Sequence, residues 1–79
     1  MKCNELKKLV NSYDYRSLQE FSRKTNFTFK KAPIDSQKIG YSLIETYEVE
    51  CEDGIVNIKG SAVAGPEWTD FGIGYIIAY

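Results

Sequence analysis

Leu6, Leu9, Val10 and Tyr13 recur at the i, i+3, i+4, i+7 spacing that lines one face of an α-helix, with Lys7 and Lys8 turned the other way. The spacing predicts a first helix over residues 3–11. Asn11 tolerates the left-handed backbone that ends a helix, and Ser12 or Asp14 carries an oxygen able to cap the next one. A second helix is expected from about Asp14 to Thr25. Leu18 and Phe21 form its narrow buried side, Arg16, Gln19, Glu20, Arg23 and Lys24 stay in water, and Asn26 offers its stop.

Past the helices the period changes to two. Phe27-Thr28-Phe29-Lys30 alternates like a strand, but Pro33 follows soon and Asp35-Ser36 reads as a turn, so this element is short or irregular. Residues 38–52 are richer in β-branched and aromatic side chains and end at Asp53-Gly54, a hairpin signal. A two-residue turn there pairs Glu52 with Ile55. Cys51 then faces Val56, Val49 faces Ile58, Tyr47 faces Gly60 and Glu45 faces Ala62, all on the core side. The opposite face pairs Glu50 with Asn57, Glu48 with Lys59 and Thr46 with Ser61, a polar set. After a Gly65-Pro66 loop, a last strand is expected over residues 71–79. Its bulky face, Phe71, Ile73, Tyr75, Ile77 and Tyr79, should join the core, leaving Gly72, Gly74, Ile76 and Ala78 on the smooth side. The pattern as a whole predicts an α+β fold: two short N-terminal helices packed on one face of a three- to four-stranded antiparallel meander.

Length narrows this to one domain, with a helical part over residues 1–26 and a sheet part over residues 27–79, because 79 residues support a single core. Apolar residues at 43% and aromatics at 14% are enough to offset the ordering entropy that would leave a poorer chain disordered. A core this small yields only ~3–5 kcal/mol, which keeps homodimerisation in view. Net charge is -1, so the whole-chain positive field of a nucleic-acid binder is missing. No apolar run approaches the ~18 residues of a membrane span, and Met1-Lys2-Cys3-Asn4 leads into charges rather than a signal-peptide stretch, so a cytoplasmic location without membrane attachment is expected.

Catalytic chemistry finds few handles. Histidine is absent, which removes the commonest general base and neutral metal ligand. Cys3 and Cys51 form no CxxC pair and read as idle thiols ahead of a disulfide or metal site. No phosphate-binding glycine loop is present, and Gly72-Ile73-Gly74 falls within a strand pattern. No cofactor, metal or catalytic residue is therefore assigned. Glu45 breaks the alternation by falling on the core side. It is either wet at the open end of the sheet or the carboxylate of a small enzyme, a reading that needs a cleft.

Two surfaces remain as candidates for capturing a partner. Glu48, Glu50 and Glu52 project from one face with Asp53 at the tip, a negative ledge some ~15 Å long that suits a basic protein surface, if it is more than a solvated outer face. Trp68 stands in a loop between Glu67 and Asp70, where a large ring either anchors an interface or folds back on the core. Arg23, Lys24, Lys30 and Lys31 around Phe27 and Phe29 offer an alternative, stacking and charge for single-stranded nucleic acid, though solvated lysines beside core rings read the same. The leading expectation is a small non-enzymatic module that binds another protein and modulates or inhibits it. In size, near-neutral charge and lack of catalytic groups it looks like the small inhibitors carried by phages and mobile elements, anti-CRISPR proteins among them. That likeness is an analogy carried by no motif.

Overall fold

The computed structural model describes residues 1–12, 15–39, 42–62 and 75–79. In chain order its elements are α1 (Cys3–Asn11), α2 (Leu18–Thr25), β1 (Asp35–Ile39), β2 (Ser42–Cys51), β3 (Gly54–Ala62) and β4 (Ile76–Ala78). The four strands form one antiparallel meander ordered β1-β2-β3-β4, and the two helices pack against it, so the expected α+β architecture is the observed one. No helix among the described residues is long and apolar enough to cross a membrane.

The first helix has the expected bounds and buries Leu6 and Val10, one turn apart on its inner face. Its end differs from expectation. Ser12 closes it in a right-handed conformation, and Asn11 is the last helical residue rather than a left-handed stop. The Asn11 carboxamide is engaged elsewhere: Nδ2 donates to the carbonyl of Ala78 at 3.1 Å, and Oδ1 accepts from the Ala78 N–H at 3.0 Å. One side chain thus does for the outer edge of β4 what a neighbouring strand would do.

The second helix begins four residues later than expected, at Leu18. Ser12 does not cap it, and Asp14 lies outside the described residues; the cap is Ser17. Ser17, extended at φ -158° and ψ 163°, accepts the Glu20 N–H at 3.0 Å. The preceding residues serve packing instead: Tyr15 is buried and meets Phe21 edge to face with ring centres 5.3 Å apart. Asn26 ends the helix as expected, in the left-handed region at φ 58°. The segment that follows is not a strand. Phe27 and Phe29 are half-buried there and extend the core from Phe21 out to Tyr47, on which Phe29 stacks at 4.2 Å.

The run predicted as one strand over residues 38–52 is divided between β1 and β2. Asp35 and Ser36 make no turn; they open β1, where Asp35 pairs with Thr46 and Ser36 with Glu45. The β2–β3 register is also displaced. Val49 faces Val56, Tyr47 faces Ile58, Glu45 faces Gly60 and Leu43 faces Ala62, while Glu48 faces Asn57 and Glu50 faces Ile55. The bend is made by Glu52 and Asp53, and Gly54 enters the ladder opposite Cys51 with φ +156°, a conformation that side chains disfavour. A slip of two residues changes every partner and no face, so the predicted inner and outer sets survive.

Inside, Val56 and Ile58 are fully enclosed with Leu6, Val10, Leu18, Phe21 and Ala78. Outside, the face is less open to solvent than expected, because Ile44, Thr46 and Ser61 are buried at the end away from the hairpin turn. The largest correction concerns β4. Ile76 and Ala78 face the core, whereas Tyr75, Ile77 and Tyr79, assigned inward from the sequence, are exposed on the outer side. Phe71 and Ile73 lie outside the described residues. The cause is close approach. Gly60 lies beside Ile76 with no room for a side chain, a Cβ there standing 2.9 Å from the Tyr75 carbonyl oxygen, and α1 sits near enough for Asn11 to reach the Ala78 backbone. Bulky inward residues on β4 would lift the helix away.

Two substitutions test this packing. Asn11→Ala removes both bonds to Ala78 and is expected to lower unfolding stability by about 1–2 kcal/mol in urea melts. It also opens the β4 edge, so light scattering should show increased self-association. Gly60→Ala is expected to cost about 1–3 kcal/mol through overpacking; an unchanged melt would contradict the close approach of β4.

Candidate functional site

The acidic ledge is present in part. Glu48 and Glu50 project from the outer face of β2, while Glu52 and Asp53 form the turn beyond it. Three of the four carboxylates have partners. Glu50 meets Lys31 Nζ at 3.1 Å, both side chains well exposed, and Glu52 meets the Met1 ammonium at 2.9 Å, which raises the pKa of that amine. Asp53 turns back toward α1, where its Oδ1 accepts the Cys3 N–H at 2.8 Å. Glu48 has no ion pair among the described residues. Exposed pairs of this kind are screened and contribute little to stability, so Glu48 and Glu50 remain an available negative surface.

Asp53 has a second role that sequence reading missed. Lys2, before α1, supplies no side-chain cap, and the carboxylate from the distant hairpin turn takes that place at the positive end of the helix. The Cys3 backbone bond first, and then the Cys3 thiol, hold the Asp53 carboxyl below the usual carboxylate range. No local sequence signal marks this bond, because its partners are joined only by the fold.

The correct register and the reversal of β4 add an apolar neighbour to the ledge. Ile55 lies directly across from Glu50, and Ile77 lies beside Lys59 on the next strand pair. Tyr79 is bound to Asn57 through both backbone bonds, at 3.0 and 2.9 Å, and Asn57 in turn faces Glu48. Tyr75, Ile77 and Tyr79 are 42%, 45% and 55% exposed, and Ile55 55%, so this part of the sheet offers carboxylates along β2 and large apolar side chains across β3 and β4. Tyr75, Ile77 and Tyr79 were missed because they were assigned to the core, and Ile55 because the expected register set it against Glu52 at the turn.

The other predicted residues are more scattered. Glu67, Trp68 and Asp70 lie outside the described residues. Glu45 is half-buried on the inner side, with Tyr47 Oη donating to its Oε1 at 3.5 Å. Burial, and then the Glu45 charge, push the Tyr47 hydroxyl above its ordinary pKa. A pocket of about 300 Å³ opens between residues 27–31 and the part of β2 that carries Tyr47 and Val49, with Lys30 and Lys31 at its wall. Among the described residues, no three His, Cys, Asp or Glu side chains gather to hold a metal.

The Asp53 bond has a definite pH signature. A carboxyl whose pKa is depressed on folding stabilises the fold above its unfolded value and loses that contribution as pH falls through the folded value. Asp53→Ala is therefore expected to lower Tm by a few degrees at neutral pH. The gap from the parent protein should close as acid carries the solution below the ordinary carboxylate range; a gap independent of pH would contradict the assignment. Compared with known proteins, the chain matches no family model, no curated protein and no solved structure.

Proposed function

We propose that this chain is a small non-enzymatic protein that binds another protein through the outer face of its sheet and so modulates or blocks it. The observation that carries the reading is the exposed group of Ile55, Ile77 and Tyr79 beside Glu48 and Glu50, on the face the helices leave open. Large apolar side chains gathered on one face mark interaction surfaces, and an acidic border favours a partner whose own apolar contact is rimmed by Lys and Arg. Such an arrangement divides the work, with burial of the rings and branched side chains holding the complex while the carboxylates orient it. The action on the partner remains analogous to that of small phage-borne inhibitors, on size and charge alone.

Single-stranded nucleic acid is the weaker reading. Phe27 and Phe29 spend their ring faces on Phe21, Tyr47 and each other, so a free stacking platform is not what these residues form.

Affinity capture from a lysate of the native source, with the tagged protein as bait, tests the proposal. The parent protein is expected to retain a protein partner that Ile55→Ser/Ile77→Ser and Glu48→Gln/Glu50→Gln each lose by about tenfold or more. Lys8→Gln, on exposed α1 surface, should retain it. Equal capture by the parent and both face variants would reject this surface.

A further inference from the structure

Cys3 and Cys51 stand far apart in the sequence and meet in the fold. β2 ends at Cys51, whose register partner is Gly54. Side chains of such partners share a face, with Cβ atoms about 4.5–5.5 Å apart. Gly54 has no side chain, and the Cys3 sulfur lies beside that open place, 3.5 Å from where a Gly54 Cβ would stand and so in ordinary contact with it. The start of α1 is held there by the Cys3 bond to Asp53 and by the Glu52 N–H, which donates to the Met1 carbonyl at 3.1 Å. Both thiols are free and half-buried against the core, on the same side of the sheet.

We propose that Cys3 and Cys51 are a dithiol modification site that reacts with a small disulfide of the oxidised-glutathione class to give an intramolecular Cys3–Cys51 disulfide. Cys51, as thiolate, attacks one sulfur of the small disulfide. A protein–glutathione bond forms, the glutathione S–S bond breaks, and the departing thiolate takes up the proton Cys51 released. Cys3 then loses its proton and attacks the Cys51 sulfur, expelling the second glutathione as a thiol. Two protein thiols are oxidised by two electrons, and one small disulfide is reduced to two thiols.

The order of attack follows from the surroundings. The hydrogen bond with Cys51, then burial and Asp53, push the Cys3 thiol up to about 12, so Cys3 keeps its proton at neutral pH and takes the second, resolving place in the sequence. Once Cys51 carries glutathione its thiol is gone, and the Cys51 hydrogen bond, the largest influence holding the Cys3 proton, goes with it. The bond formed joins the first turn of α1 to the end of β2 and closes a long loop of chain. Constraint of the unfolded state by such a loop raises Tm by about 10 °C or more. This inference is independent of the outer-face reading, because both sulfurs lie on the helix side of the sheet.

The test uses the full folded chain in glutathione buffers of graded ratio at neutral pH, with alkylation of free thiols, intact mass and peptide mapping as readouts. Expected are a Cys3–Cys51 linked peptide, loss of both free thiols without a retained glutathione, and the rise in Tm. The pair should oxidise with an equilibrium constant at least about 100-fold larger in the folded protein than in denaturant, the effective concentration the fold supplies. Cys3→Ser and Cys51→Ser, checked for folding by circular dichroism, should show no oxidant-dependent change in Tm. Glutathione persisting on either cysteine, disulfide-linked dimers as the main product, or equal constants in folded and denatured chain would overturn the proposal.

Discussion

The burial of Val56 and Ile58 beneath the two helices is the contact around which the other elements are arranged. Both side chains are fully enclosed, each contributing about 1.5–3 kcal/mol, and both belong to the strand that pairs with β2 on one side and β4 on the other. Leu6 and Val10 approach from α1, Leu18 and Phe21 from α2. With the helices centred on β3, the inner side of β2 near the turn needs another cover. The irregular segment after α2 supplies it, with Phe29 stacked on Tyr47. What looked in the sequence like a weak strand is an aromatic flap whose backbone never enters the ladder.

The sequence was most legible where one rule acted locally. Period-two alternation assigned the inner and outer faces of β2 and β3, because a face requires only parity, and the narrow stripe of α2 placed Leu18 and Phe21 in the core. Register demanded more. It depended on whether Gly54 belongs to the turn or the ladder, and a two-residue slip leaves the face pattern untouched. The start of α2 was readable in principle, since Ser17 followed three residues later by Glu20 is a capping signature; Tyr15 gave no comparable sign that it would turn inward.

β4 shows the opposite limit. Both of its faces are apolar, so alternation says which side chains travel together and not which set is buried. The choice was made at a distance by the closeness of α1, of which Asn11 gives no hint while it is read only as a helix stop. The candidate site inherits this division. Its carboxylates at Glu48 and Glu50 followed from parity alone. Its apolar half at Ile77 and Tyr79 required knowing which face of β4 the helix would take, and those residues became surface only because Ile76 and Ala78 let the helix come close.

The same long-range bonds determine what kind of surface the sheet offers. An open strand edge recruits other chains through backbone groups, with little regard for sequence. Here Asn11 occupies the backbone of Ala78 on the β4 side, and on the other side β1 carries exposed polar residues at Ser36, Gln37 and Lys38. Edge pairing is discouraged at both margins of the described sheet. The proposed contact is the part of the outer face near the hairpin turn, where recognition would pass through side chains: the carboxylates of β2, and the rings and branched chains of β3 and β4. Under that proposal a partner would be selected by shape and charge rather than by strand addition, which is the discrimination a small protein needs if it is to bind one target without polymerising.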